Sequence, residues 1–199
     1  CRRAARLPSS IPLKALTSQG LRLDVACRMI RSCIIRPDGQ PSMHSVSAWF
    51  AGIGKDQPVV VLQIDGSSLD PSTVRDSFCS ELVLAKCLKL EAARISQGTG
   101  VEMGRGITMR MLDGFTNVPA AFLDAVRHEK VDARRKVVLF HENGRPIFDS
   151  PQPGVLIWKQ LLANDNVIII GNHQGFPVQV EEELLKMSDL ALSIGINPH

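Results

Sequence analysis

Apolar residues recur at helical spacing from Leu21 to Ile35, where Leu23, Ala26, Cys27, Ile30 and Ile34 share one face. Asp24 stands near the start of this segment, where the helix dipole favours a carboxylate. Pro37, Asp38, Gly39 and Pro41 then predict a loop. Two strands follow, Ser45 to Phe50 and Val59 to Ile64, joined by a loop over 52–58. The first alternates in polarity. The second, VVVLQI, is so uniformly apolar that it predicts an interior strand. Asp65, Gly66 and Ser67 make a turn, and Pro71 to Lys89 predicts one long helix with Val74, Phe78, Leu82, Ala85 and Leu88 on one face.

Glycines at 98, 100, 104 and 106 punctuate the next stretch, after which Ile107, Met109 and Met111 alternate as a short strand. Residues 115–128 predict an amphipathic helix. Val137 to Phe140 predicts a short apolar strand that ends in the turn sequence His141-Glu142-Asn143-Gly144. Val155 to Asn164 predicts a helix, and Val167 to Ile170 a buried strand that ends at Gly171. A helix over Glu181 to Lys186 and a last strand over Leu190 to Ile194 complete the pattern, while residues 1–20 are irregular. Buried strands alternating with helices predict an α/β fold with parallel pairs, as a single domain over 1–199. In such sheets ligands bind where the carboxyl ends of strands meet the loops, which singles out Phe140–Gly144 and Gly171–Gly175.

Composition narrows this picture only a little. The chain has 199 residues, 44% hydrophobic and 22% charged, which is ordinary globular usage. No apolar run approaches the length of a membrane span. A net charge of +3 and a pI near 8.7 are compatible with an RNA partner. Basic residues cluster at Arg2, Arg3 and Arg6, at Arg22, Arg28, Arg31 and Arg36, and at Arg127, Lys130, Arg134, Arg135 and Lys136. Such clusters read equally as RNA contacts or as solvated surface. The cysteines, Cys1, Cys27, Cys33, Cys79 and Cys87, are odd in number and contain no CxxC pair. Reduced cytoplasmic thiols fit better than a disulfide framework or a zinc site. The opening is Arg-rich and acid-free like a transit peptide, but a start at Cys1 reads as a fragment.

Several segments carry candidate chemistry. In Ile168 to Pro177 (IIIGNHQGFP) an apolar strand delivers the chain to Gly171, whose missing side chain admits a ligand or merely a tight strand-to-helix loop. His141 and His173 each follow a strand, as acid–base groups, as ligands, or as loop hydrogen-bonders. No acidic residue or cysteine stands at metal-ligand spacing beside them, so no metal is expected. Asp24 and Arg28 lie four apart on one helix face, which makes an ion pair available. Arg22, Arg105 and Arg110 have the guanidinium geometry that matches phosphate.

Taken together and in order, five segments resemble the archaeal tRNA pseudouridine-54 N1-methyltransferases of the SPOUT class. They are Gly20 to Arg28 (GLRLDVACR), Gly106 to Arg110 (GITMR), Phe140 to Gly144 (FHENG), Ile169 to Gly175 (IIGNHQG) and Leu192 to Ile196 (LSIGI). The resemblance spans nearly the whole chain. It implies a SPOUT-type α/β sheet with flanking helices and a trefoil knot, and a homodimer that methylates N1 of pseudouridine in the T-loop of tRNA with S-adenosylmethionine. It places the methyl donor among three loops, at Phe140, at Gly171, and from Leu192 through Ser193, Ile194 and Gly195. A carboxylate is wanted to take the N1 proton, and Asp24 is the candidate. Arg22 and Arg28 would orient phosphate or base, and Arg105 and Arg110 would hold RNA; equally, Asp24 serves only to anchor Arg28.

The chain departs from the family pattern in places. The family's first strand is nearly missing, and the chain ends at His199, before the helix that would be threaded to close the knot, so the domain is expected to be truncated at both ends and its knot incomplete. Asn172 stands where the family has Asp, Phe140 where it has Leu, and Ile196 where it has Pro. The stretch around Val155 to Leu162 is longer than usual. The alternatives are a SPOUT-fold RNA-binding relative impaired in catalysis, an rRNA pseudouridine N1-methyltransferase, and an α/β domain with an unrelated small-molecule site.

Overall fold

A computed structural model describes residues 23–50, 59–95, 101–102, 105–112, 118–131, 135–147, 165–171 and 176–193. The chain divides into two compact units, Cys1–Val118 and Pro119–His199.

The first unit opens with α1 (Leu23–Ile34), which buries Leu23, Asp24, Cys27, Ile30 and Ile34 along one face. Strands β1 (Ser45–Phe50), β2 (Val59–Asp65), β3 (Val101–Glu102) and β4 (Ile107–Leu112) form one sheet in the order β1-β2-β4-β3. Every pairing in it is antiparallel. Parallel pairs are therefore absent from this sheet among the described residues, against the expectation of an alternating parallel arrangement. The register sets Ala48, Leu62 and Met109 in one row and Val46, Ile64 and Ile107 in the next. These rows point into a core completed by α1 and by α3 (Glu81–Ile95). Strand β2 is interior, as its apolar run predicts, with Val60, Val61, Leu62 and Ile64 all buried.

The long helix expected over 71–89 is two helices. Helix α2 (Pro71–Ser77) is started by Asp70, whose carboxylate accepts from the Thr73 amide at 2.8 Å, with Pro71 pre-set for the first turn. It ends at Phe78, and Ser80 Oγ accepts from the Val83 amide at 3.2 Å to start α3. The break leaves carbonyls of the α2 terminus unpaired, and Arg31 of α1 takes them. Its Nε donates to Phe78 O at 2.6 Å and its Nη2 to Cys79 O at 3.1 Å. Periodicity along 71–89 carries no trace of that partner.

The second unit holds α4 (Val118–Val131), β5 (Lys136–Pro146), β6 (Asn166–Ile170), α5 (Val178–Met187) and β7 (Leu190–Ser193). The three strands form a parallel sheet in the order β6-β5-β7. This is a mixed α/β architecture with a small parallel sheet and flanking helices. Leu123 and Val126 of α4 and Val180 and Leu184 of α5 pack with Val137, Leu139 and Ile169 on one face of the sheet. Val138, Ile147 and Leu192 form a smaller cluster.

Two expectations change here. Strand β5 does not stop at Phe140 but runs through the turn sequence to Pro146. Strand β6 is an edge strand rather than a buried one: Ile169 is buried, but Ile168 and Ile170 are 50% and 46% exposed. An apolar run alone cannot tell an edge from a centre, because the distinction lies in which strands pair with it. The helix expected over Val155–Asn164 lies outside the described residues.

Candidate functional site

The parallel register decides what gathers in the second unit. Phe140 of β5 pairs with Ile170 of β6 on one side and with Leu192 of β7 on the other. All three strands therefore reach the same level together. Gly171 and Ser193 follow at once, so Phe140, Gly171, Leu192 and Ser193 come together at the carboxyl ends of the sheet. This is the place where open α/β sheets bind ligands, because the backbone groups beyond the last ladder bonds point outward. Ile194 and Gly195, like His173 and Asn172, lie outside the described residues.

Beyond Phe140 the ladder is interrupted. Phe140 and Arg145 both pair with Leu192, so residues 141–144 leave the ladder as a bulge before pairing resumes at Pro146 and Ser193. The amide of Ile147 donates to Ser193 O at 3.0 Å and closes the return. Gly144 lies so close to Leu192 that a Cβ there would sit 2.4 Å from the Leu192 carbonyl carbon. The glycine of the HENG sequence is thus required by close backbone approach. Gly171 has a side-chain neighbour instead: a Cβ would meet the Phe176 ring at 2.9 Å, and that ring stacks on Phe122 with centroids 6.3 Å apart.

His141 is fixed at both nitrogens. The Asn143 amide donates to Nδ1 at 3.1 Å, so the ring proton belongs on Nε2, which faces Glu181 Oε1 at 2.7 Å. Of the roles open to His141, the geometry selects that of a loop hydrogen-bonder. Its partner Glu181, in the first turn of α5, was not singled out by any motif; its only signal is an acidic residue at a helix start.

The remaining candidates lie in the first unit. Asp24 is on α1 with 5% exposure, and Arg22 lies outside the described residues. Arg28 does not turn to Asp24: its Nε donates to Glu81 Oε1 of α3 at 2.9 Å. Hydrogen bonding to Arg28 holds the Glu81 carboxyl below its usual range. A residue four positions away competes poorly with one presented by a packed neighbouring helix. Arg110 is exposed on the sheet face opposite the core, Arg105 is exposed just before β4, and neither has an ion pair among the described residues.

The basic residues of 127–136 are largely neutralised. Arg127 pairs with Asp124 and Glu183, Lys130 with Asp189, and Arg135 with Glu129 and Asp165. That stretch reads as a solvated ion-pair network rather than a phosphate track.

Burial pushes the Cys27 thiol up to about 12, and Cys27, Cys33, Cys79 and Cys87 are all free. Among the described residues no group of three His, Cys, Asp or Glu side chains is placed to hold a metal ion. No helix among them is long and apolar enough to cross a membrane. A cavity of about 150 Å³ lies in the first unit, lined mostly by core residues such as Leu62, Phe78, Leu88 and Ile107.

Comparison with models of known protein families and with curated proteins finds no match. The likeness to the pseudouridine-54 methyltransferases rests on the five short segments quoted above.

Proposed function

We propose that the protein is an S-adenosylmethionine-dependent methyltransferase acting on N1 of pseudouridine in tRNA, at position 54 of the T-loop. The observation that carries this reading is the alignment of Phe140, Ile170 and Leu192 at one level, which brings three of the motif segments to one end of a parallel sheet. The reading includes the SPOUT-type fold with its knot and a homodimer working in the cytoplasm.

The residues present suit such a donor. Phe140 and Leu192 offer apolar surface for an adenine ring, while the backbone of 141–144 and Ser193 offers polar groups at the strand ends. When bound, S-adenosylmethionine supplies an already activated methyl carbon. The protein's task is then chiefly orientation, which in well-placed reactions accounts for much of the rate. Asp24 is the proposed general base for the N1 proton, with Arg22 and Arg28 orienting phosphate or base. Arg105 and Arg110 would hold the RNA backbone, and the target base must leave its stack to be reached.

A second reading is a SPOUT-fold RNA-binding relative that does not bind the donor. It is favoured by Phe140 and Asn172, which depart from the family pattern, and by the Phe176 ring that occupies the space beside Gly171.

Calorimetric titration of S-adenosylmethionine, followed by methyl transfer to tRNA carrying pseudouridine or uridine at position 54, separates the two. Donor binding with transfer only to the pseudouridine tRNA is expected. Salt-sensitive tRNA binding without donor binding would select the second reading, and neither would overturn both. Asp24→Asn should keep donor binding and abolish transfer; full turnover by that variant would remove Asp24 as the base.

A further inference from the structure

A bulge at the end of a strand has no ladder bonds of its own and needs other anchors to hold one shape. The bulge 141–144 has two. Gly144 rests on the backbone of Leu192, at the start of the third motif segment. His141, with its side chain only 9% exposed, binds the Asn143 amide through Nδ1 and Glu181 through Nε2. Glu181 stands in α5, the helix entered from the segment that begins at Gly171. A single imidazole thus joins the bulge after β5 to the helix that follows β6, across 40 residues of sequence.

We propose that His141 and Glu181 are a positioning pair that holds the 141–144 bulge in the shape that receives the methyl donor; this rests on the donor site proposed above. Neither acts on substrate. With Nδ1 accepting and Nε2–H donating, the imidazole has no free lone pair or proton to offer. The pair acts by preorganisation: a loop already ordered before the donor arrives does not lose that conformational freedom on binding. The carboxylate of Glu181 makes the bond charge-assisted, and its place in the first turn of α5 favours the charged form.

Four variants separate the two ends of the link. Glu181→Ala removes the acceptor, while Glu181→Gln keeps one. His141→Asn keeps an acceptor near the Nδ1 position but cannot reach Glu181, and His141→Gln reaches Glu181 but gives up the Asn143 amide. Donor affinity is measured by calorimetry, and amide exchange at Asn143 is measured without donor. The expected result is about tenfold weaker S-adenosylmethionine binding in Glu181→Ala, the loss of roughly one charge-assisted hydrogen bond. Glu181→Gln should rescue most of that loss. The double variant His141→Asn/Glu181→Ala should be no weaker than either single one, because both cut the same link.

Wild-type affinity in a folded Glu181→Ala protein, or losses that simply add in the double variant, would overturn the pair's role. Unchanged exchange at Asn143 in His141→Gln would show that the bulge does not depend on His141, and overturns the proposal even if Glu181→Ala fails to fold. Absence of donor binding by the wild-type protein is a different failure: it removes the donor site itself, and the role given to the pair with it.

Discussion

Substituting Gly144 by alanine tests the geometry on which the candidate site depends. A Cβ at this position would lie 2.4, 2.6 and 2.7 Å from the C, O and N atoms of Leu192, where ordinary contact begins at 3.4 Å. The obstacle is backbone, so no rotamer change relieves it. Strands β5 and β7 must separate by roughly 1 Å, which strains the pairing of Arg145 with Leu192 and of Pro146 with Ser193 and the bond from Ile147 N to Ser193 O. Overpacking of this kind plus one weakened backbone hydrogen bond amounts to roughly 2–4 kcal/mol. Urea unfolding followed by far-ultraviolet circular dichroism reads the change, and amide exchange at Ile147 localises it. Gly39→Ala is the control: its φ of +79° disfavours a side chain, but no atom lies within 4 Å of the added Cβ. That backbone effect alone is on the order of 1–2 kcal/mol. If Gly144→Ala proves no more destabilising than Gly39→Ala, or leaves Ile147 exchange unchanged, the close packing of the bulge on Leu192 is wrong.

Other expectations follow from single contacts. Hydrogen bonds from Ser72 and Thr73 hold the Asp70 carboxyl at about 2, below its ordinary 3.8. Its contribution to stability is then present above pH 3.8 and lost as the pH falls through about 2. The urea midpoints of wild type and Asp70→Asn should differ at neutral pH and converge toward pH 2; a constant gap would argue against the cap. Cys27 is fully buried with its thiol pushed up to about 12, so a thiol reagent at pH 8 should label the exposed Cys33 and Cys79 quickly and Cys27 only on unfolding. Mass mapping that finds Cys27 among the first sites modified would contradict its burial. If Arg105 and Arg110 hold RNA phosphates, Arg105→Ala and Arg110→Ala should each weaken tRNA binding evenly across sequences and lower the salt slope by about one. An unchanged slope, measured by filter binding at several salt concentrations, would return both arginines to plain surface.

Much of the local structure was legible before folding was considered. The spacing of Leu23, Cys27, Ile30 and Ile34 marks the buried face of α1, and the alternation of Ile107, Met109 and Met111 marks β4, because those periods are set by the helix and the pleat themselves. The loops after Phe140 and Ile170 were legible as candidate sites for the same reason: a short apolar run that ends in Gly or His-Glu-Asn-Gly predicts a strand end wherever its partners lie. Arg22, Ile194 and Gly195 lie outside the described residues and so take no part in this comparison.

What the tertiary structure alone decided is partnership. That β2 sits between β1 and β4 in an antiparallel sheet, while β5 sits between β6 and β7 in a parallel one, follows from which segments meet after long loops close. The break at Phe78–Ser80 persists because Arg31, 47 residues earlier than Phe78, takes its freed carbonyl. Arg28 turns to Glu81 across 53 residues and His141 to Glu181 across 40. A bond between groups so far apart leaves no period in the sequence, because its geometry is fixed only once separate apolar faces have packed. The chain's own pattern therefore determined where helices, strands and strand ends lie; packing determined which strand is an edge, which carboxylate each cation meets, and that Phe140, Gly171 and Leu192 stand at one end of the same sheet.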